Sequence, residues 1–154
     1  MNYKDFMARP GRDCAIIAHR GIWRDAPENS LQAIEAAIAG GYDVVEIDVR
    51  RSADGALFLC HDDSLERMTG HDAAVEELAA SELAALHLRN RDGGAGNALT
   101  DQKLARLSDV FDLTRDRIFI HLDVKDRLLI PEVIAAAQAA GVDQQVDFWS
   151  ALRD

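Results

Sequence analysis

The sequence contains few cysteines, prolines or aromatic residues: its 154 residues include two cysteines, three prolines and 6% aromatic residues. Two cysteines are too few for a disulfide framework, so we expect a hydrophobic core and a reduced, cytoplasmic setting. No apolar run approaches the ~18 residues of a membrane helix, so we expect no transmembrane segment. Residues 1–13 lack the apolar stretch of about 7–15 residues that marks a secretory signal.

Basic residues are also in the minority, with 17 lysines and arginines against 27 aspartates and glutamates and a net charge of -10. A surface that binds nucleic acid needs a basic patch to neutralise phosphates, so we expect no nucleic-acid partner. A small phosphate substrate is compatible with this charge, because local charge differs from net charge. The content of apolar (48%) and charged (29%) residues is ordinary for one globular domain.

Apolar runs and helical patterns alternate along the chain after a polar segment, residues 1–13, that we interpret as an N-terminal arm. Runs with strand character occupy residues 14–18, 44–50, 56–60, 118–125 and 145–150. Helical patterns occupy residues 31–39, 76–86, 104–115 and 131–140, and residues 89–97 have the composition of a loop. Asn29 is the predicted N-cap of the first helix, because Gln32 would complete a capping box. Such alternation is typical of α/β folds with a parallel sheet.

Two predicted strands have one apolar and one polar face, because the side chains of a strand point alternately to opposite sides. In residues 44–50, Val45, Ile47 and Val49 share one face. The opposite face carries Glu46 and Asp48. Residues 118–125 repeat the pattern. This arrangement predicts an α/β barrel of the TIM type, whose outer face packs on helices and whose active site forms at the carboxyl ends of the strands.

Three carboxylates on these polar faces are candidate metal ligands: Glu46 and Asp48 on one strand and Asp123 on the other. Carboxylates held so close repel each other unless a positive charge neutralises them. A hard divalent cation with oxygen ligands would do so. The alternative is that they form ion pairs with Arg50 and Lys125 inside the barrel.

Two histidines, His19 and His61, each follow a predicted strand and are candidates for general acid–base catalysis, since imidazole titrates near neutral pH. Taken singly, each is better interpreted as an ordinary hydrogen-bonded histidine. Cys60 points to the opposite face from His61, so we interpret it as a core residue rather than a nucleophile. Asp62 and Asp63 are interpreted as solvated loop residues.

An ordered set of motifs spans the first half of the chain. They are His19-Arg20-Gly21, Pro27-Glu28-Asn29-Ser30, Val45-Glu46-Ile47-Asp48-Val49, Asp54-Gly55, His61-Asp62 and Leu65-Glu66-Arg67-Met68-Thr69, followed by Leu122-Asp123-Val124-Lys125. In this order and spacing they resemble the glycerophosphodiester phosphodiesterase family.

The resemblance implies a TIM-barrel hydrolase that uses a divalent metal, Mg²⁺ or Ca²⁺, to cleave glycerophosphodiesters into glycerol 3-phosphate and an alcohol. It also implies the roles of individual residues. His19 and His61 form the acid–base pair, Arg20 and Lys125 bind the substrate phosphate, Glu46, Asp48 and Asp123 bind the metal, and Glu28 lies near it. Position 123 is often glutamate in the family, so the shorter Asp123 would hold the metal differently.

Length is the largest departure from the family, whose members are longer and complete an eight-stranded barrel. We therefore expect residues 14–154 to be the N-terminal part of the domain, an incomplete barrel of about four main parallel strands, a short hairpin strand and a helical insertion. Exposed barrel edges would favour self-association.

Three other functions remain open from the sequence. One is a truncated, non-catalytic half-barrel that keeps the metal ligands. Another is a related phospholipase D-like phosphodiesterase, such as a sphingomyelinase D. The third is a magnesium-dependent aldolase or enolase-like enzyme, which would not need the two histidines.

Overall fold

The fold was obtained as a computed structural model that describes residues 1–11 and 13–150. In chain order the strands are β1 (Ile17–His19), β2 (Val44–Arg51), β3 (Leu57–Leu59), β4 (His87–Arg89), β5 (Leu99–Lys103), β6 (Phe119–Val124) and β7 (Val146–Trp149). The α-helices are α1 (Tyr3–Met7), α2 (Leu31–Ala39), α3 (Glu66–Thr69), α4 (Ala80–Leu83), α5 (Leu107–Thr114) and α6 (Ile130–Ala139). Short 3₁₀ turns cover Val75–Glu77, Arg127–Leu129 and Asp143–Gln145.

The main sheet places β1, β2, β6 and β7 side by side in this order, all parallel. β3 pairs antiparallel with the last residues of β2, beyond the point where β1 ends. Helices α2, α5 and α6 connect successive parallel strands, which is the way a TIM barrel builds its wall. The predicted α/β fold with four main parallel strands and a hairpin strand is therefore confirmed.

The main hydrophobic core lies between this sheet and the helices. Val45, Ile47 and Val49 are fully buried in it, together with the alternate residues of β6. Burying a side chain of this size stabilises the fold by about 1.5–3 kcal/mol. The apolar faces predicted from the period of two are thus the faces that pack on the helices.

A second, smaller core lies under the segment between β3 and α5, where one sequence prediction was wrong and another is confirmed. The helix predicted for residues 76–86 is split by extended backbone at Ala79 into a 3₁₀ turn and the short α4. Carboxylates of Glu77 and Glu82 accept from the backbone N–H groups of Ala74 and Ala79, so each piece has its own N-terminal cap. Residues 90–98 form the loop of the antiparallel β4–β5 hairpin, so the loop predicted for residues 89–97 is confirmed, whereas its two short strands were not predicted.

The predicted arm contains a short helix, α1, which packs on the amino end of β6. Tyr3 and Phe6 contact the ring of Phe119, with centroid distances of 5.3 and 4.6 Å. The domain boundary at residue 14 remains a prediction. Within residues 1–11 and 13–150, no helix is both long and apolar enough to cross a membrane.

Candidate active site

Glu46, Asp48 and Asp123 meet at the carboxyl ends of β2 and β6. Asp48 lies opposite Asp123 in the parallel register, and one oxygen from each of the three carboxylates lies within 4.8 Å of the others. The side chain of Asp48 is 1% exposed, and those of Glu46 and Asp123 are 13% and 16% exposed. The structure thus brings together the three side chains that the sequence proposed as metal ligands.

The electrostatics of this cluster hold its members in different states. Burial, followed by the repulsion of Asp48 and Asp123, raises the pKa of Glu46 to about 7. Burial also opposes ionisation of Asp48, but the Asn29 hydrogen bond and the Lys125 ammonium outweigh it and lower the pKa of Asp48. The cluster therefore combines one firmly ionised carboxylate with one that takes up a proton readily.

Lys125 supplies the positive charge that these carboxylates require. Its Nζ lies 2.8 Å from Asp48 Oδ1 and 2.6 Å from Asp123 Oδ2. The buried Asp48 Oδ1 thus faces a positive charge. Three converging carboxylates fit the oxygen-rich coordination of Mg²⁺ or Ca²⁺.

Arg50 does not join the cluster, contrary to the ion-pair alternative drawn from the sequence. Its guanidinium donates to Glu76 Oε1 and Asp63 Oδ1, both at 3.0 Å, and to the carbonyls of Cys60 and His61. Arg50 therefore fastens the segment after β3 to β2. Of Arg50 and Lys125, only Lys125 forms ion pairs with the carboxylate cluster.

Asn29 belongs to the site, although the sequence predicted it to be the N-cap of a helix. Ser30 is the N-cap of α2 and accepts from Ala33 N at 3.0 Å, so the N-cap predicted at Asn29 was wrong. Asn29 has a φ of 54° and turns toward the sheet. Its Nδ2 donates to Asp48 Oδ2 at 2.9 Å, and its Oδ1 accepts from Asp48 N at 3.2 Å. Asparagine tolerates this left-handed backbone better than most residues.

The turn after β1 aims Arg20 at the same carboxylates. Arg20 and Gly21 both have positive φ, at 59° and 83°. A Cβ on Gly21 would lie 2.7 Å from Ala33, so only glycine lets the turn pack on α2. Arg20 Nη1 lies 3.2 Å from Glu28 Oε2, and its Nε lies 3.5 Å from Asp48 Oδ2.

The two histidines lie at the rim of the cluster in different surroundings. His19 Nε2 is 3.7 Å from Glu46 Oε2, and the His19 side chain is 66% exposed. His61 Nδ1 is 3.0 Å from Asp62 Oδ1. His61 shares a cavity of about 430 Å³ with Asp123 and Lys125, whereas His19 lines a different groove of about 970 Å³.

Asp62 is not the solvated loop residue that we expected. Its carboxylate accepts from Arg67 at 2.8 and 3.0 Å, and the Arg67 hydrogen bonds lower the pKa of Asp62 to about 2. The motif Leu65–Thr69 contained the signal for this contact, but its partner could not be identified from the sequence. Cys60 is buried in the smaller core, as expected, and burial raises the pKa of its thiol to about 11.

Comparison with known proteins assigns the chain to a family. The model of the Glycerophosphoryl diester phosphodiesterase family matches residues 19–152, which is most of the chain. The chain belongs to this family. The matched segment includes each of the side chains described above at the carboxyl ends of β1, β2 and β6.

Individual relatives agree with the assignment. The chain is 30% identical over 118 residues to the Glycerophosphodiester phosphodiesterase of Caldanaerobacter subterraneus subsp. tengcongensis, covering 75% of this chain and 46% of that protein. It is 32% identical over 123 residues to Glycerophosphodiester phosphodiesterase 1 of Homo sapiens, covering 76% and 35%.

Solved structures of the family have the same fold. The glycerophosphodiester phosphodiesterase from Agrobacterium tumefaciens superposes with a TM-score of 0.78 and 31% identity, over 88% of this chain and 57% of that one. The glycerophosphodiester phosphodiesterase from Thermotoga maritima gives a TM-score of 0.73 and 30% identity, over 90% and 55%. The chain therefore spans about half the length of these relatives.

Proposed function

We propose that the site at the carboxyl ends of β1, β2 and β6 hydrolyses glycerophosphodiesters to glycerol 3-phosphate and an alcohol. The observation that carries the proposal is the convergence of Glu46, Asp48 and Asp123 next to Arg20 and Lys125 in a chain of this family. An anionic phosphodiester that must be bound and cleaved needs such a combination of metal-binding carboxylates and phosphate-binding cations.

The three carboxylates would hold a divalent cation, Mg²⁺ or Ca²⁺, since both prefer carboxylate oxygens. When bound, such a cation neutralises negative charge on the phosphoryl oxygens. Asp123 has a shorter side chain than glutamate, yet it reaches the cluster from β6.

Arg20 and Lys125 would bind the phosphate itself. The guanidinium of Arg20 presents planar donors that suit a phosphate group. It is held in place by Glu28 and Asp48. Lys125 is a compact charge whose Nζ already lies against Asp48 and Asp123, so a phosphate at the cluster is within its reach. Together they would stabilise the charge that develops on the phosphoryl oxygens in the transition state.

His19 and His61 would move the protons. One ring takes the proton of the attacking hydroxyl, which we propose is the substrate's own glycerol hydroxyl, as the new P–O bond forms. The other gives a proton to the alcohol oxygen as the old P–O bond breaks. Water then opens the resulting cyclic phosphate with the two rings in exchanged roles.

Release of glycerol 3-phosphate from glycerophosphocholine tests the proposal, measured with Mg²⁺ or Ca²⁺ and again with excess chelator. We expect chelator-sensitive release that Asp48→Asn and Asp123→Asn abolish. Glu35→Gln is the matched control, because Glu35 pairs with Arg117 on the surface and should leave the rate unchanged. Absence of chelator-sensitive release from glycerophosphocholine and from other glycerophosphodiesters would refute the proposal.

A second candidate is a chain that binds the metal without turnover, or that acts only when associated. It is favoured by the exposed edges of the sheet, where Ile17 on β1 and Trp149 on β7 are 50% and 54% exposed. Calorimetric metal binding without hydrolysis would support it. Light scattering would show whether the chain self-associates through these edges. Hydrolysis of an intact choline phospholipid, but not of glycerophosphocholine, would instead indicate a phospholipase D-like reaction.

A further inference from the structure

Arg67 lies at the centre of a network that the proposed reaction does not yet use. It follows β3 on the short helix α3, yet its side chain reaches back to residues on both sides of the site. Its Nη1 and Nη2 donate to the two oxygens of Glu28 at 2.8 and 3.0 Å. Its Nε and Nη2 donate to the two oxygens of Asp62 at 2.8 and 3.0 Å. Nη1 also donates to the carbonyl of Asp92 at 2.5 Å.

These contacts use all five N–H groups of the guanidinium, each on an oxygen. Lysine could not replace it, since an ammonium has three donors and no planar fork. The loop 89–97 closes over the same residue, where Gly94 N donates to Arg67 O at 2.7 Å. A Cβ on Gly93 would lie 2.3 Å from Arg67 O, so glycine is required for this approach. The Arg67 guanidinium is therefore held in one orientation by its hydrogen bonds, unlike the partner in an isolated surface ion pair.

The first branch of the network determines which nitrogen of His61 carries the proton. An aspartate is ionised at neutral pH, and an ionised carboxylate can only accept hydrogen bonds. Arg67 donates to both oxygens of Asp62 and so fixes the direction in which the carboxylate faces His61. Because Asp62 Oδ1 lies 3.0 Å from His61 Nδ1, that nitrogen must be the donor in the neutral ring. Nε2 is then left unprotonated and able to accept a proton.

The second branch holds the phosphate-binding group. Glu28 is 2% exposed and lies between two guanidinium groups, those of Arg67 and Arg20. A buried carboxylate with a bidentate partner on one side has little freedom to move. Glu28 therefore fixes Arg20 at the edge of the carboxylate cluster, and Arg67 fixes Glu28.

We propose that Arg67 is a positioning residue that acts on both halves of the reaction, setting the His61 tautomer through Asp62 and the orientation of Arg20 through Glu28. The inference deepens the proposed function and rests on it. Arg67 touches neither the substrate phosphate nor the metal in this scheme. Arg67 affects the reaction only through Asp62 and Glu28, the two carboxylates that it binds.

The tautomer of His61 can be read directly by ¹⁵N NMR of histidine-labelled chain, recorded at a pH where the spectrum itself shows the ring to be neutral. We expect the Nδ1-protonated form in the unmodified chain. Asp62→Asn should reverse it, because the amide can donate to Nδ1 and leave the proton on Nε2. Arg67→Met should give a mixture. Arg117→Met is the matched control, since Arg117 grips Glu35 in the same bidentate way far from the site.

Kinetics on glycerophosphocholine separate the two branches. We expect Asp62→Asn to lower kcat about 100-fold with little change in KM, since general acid–base catalysis contributes a factor of that order or more. Glu28→Gln should raise KM by releasing Arg20. Arg67→Met should lower kcat and raise KM, and Arg67→Lys should restore neither value. A residue that only supports the fold would not give this split.

The inference is overturned if Asp62→Asn and Arg67→Met both leave His61 protonated on Nδ1, or if Arg67→Lys keeps the tautomer, kcat and KM unchanged. Should Arg67→Met fail to fold, Arg67→Lys tests the role of Arg67 and Asp62→Asn tests the control of the tautomer by Asp62. Failure of the proposed function is distinguishable, because the unmodified chain would then show no hydrolysis while the NMR measurement still reports on Arg67.

Discussion

Removal of the Asn29 side chain should reveal how strongly the site depends on a residue far from it in sequence. Asn29 makes two hydrogen bonds with Asp48, one to its carboxylate and one from its backbone N–H, and both residues are buried. In Asn29→Gly both bonds are lost, while the backbone φ of 54° remains accessible. Asn29→Ala loses the same bonds and also introduces a Cβ into a left-handed conformation.

The size of the effect follows from these contacts. A hydrogen bond to a charged group contributes about 1.5–3 kcal/mol, and a buried donor left without a partner costs about 1–3 kcal/mol. We therefore expect Asn29→Gly to lower the free energy of unfolding by about 3 kcal/mol. Asn29→Ala should lose about 1 kcal/mol more, because of the left-handed backbone. Against a typical total of about 5–15 kcal/mol, either loss is large.

Urea unfolding followed by circular dichroism measures this loss, with a chelator present so that metal binding does not contribute. With an m-value of about 2 kcal/mol/M, a loss of about 3 kcal/mol shifts the midpoint by about 1.5 M. Asn90→Gly is the matched control, since within residues 1–11 and 13–150 the Asn90 side chain accepts only from the exposed Arg91 N–H. Its expected loss is below about 1 kcal/mol.

Equal losses for Asn29→Gly and Asn90→Gly would show that the Asn29–Asp48 bonds contribute nothing specific. Equal losses for Asn29→Gly and Asn29→Ala would refute the assigned backbone strain but not the hydrogen bonds. The two comparisons therefore test the side-chain and backbone parts of the argument separately.

Three further predictions concern other parts of the molecule. A thiol reagent at about pH 8 should label the exposed Cys14 quickly and the buried Cys60 hardly at all. With a pKa of about 11, roughly 0.1% of the Cys60 thiol is ionised at that pH. Equal labelling rates would contradict the burial of Cys60. Gly93→Ala should destabilise the chain by about 2 kcal/mol or more in the same urea assay, because its Cβ would overlap the Arg67 carbonyl; an unchanged midpoint would refute that contact. The lowered pKa of Asp62 means that its ionised form stabilises the fold above the unfolded pKa of about 4, and that this contribution is lost as the pH falls toward about 2. The acid-unfolding curve of Asp62→Asn should lack this loss. A curve identical to that of the unmodified chain would argue against the Asp62–Arg67 ion pair.

The faces of the strands were determined by the sequence alone. A period of two put Ile47 and Val49 on the core side and Glu46 and Asp48 on the other, and the structure has them there. This prediction succeeds because the alternation of side chains is a local property of extended backbone. The order of strands and helices was readable for the same reason, since the connection of parallel strands by helices follows from chain direction.

Burial and partner choice were decided by the tertiary structure. Asp62 looked like a solvated aspartate, and Asn29 like a helix cap, because nothing within a few residues of either contradicts those interpretations. The two strands of the β4–β5 hairpin were not predicted because they are short and half exposed.

The contacts that define the site join residues far apart along the chain. Arg67 grips Glu28 across 39 positions, and Asn29 holds Asp48 across 19. Such partners are brought together by the packing of β2 against β1, β3 and β6, and this geometry depends on the whole core rather than on any local pattern. The sequence therefore determined which side chains were available at the strand ends, and the tertiary structure determined which of them hold one another in place.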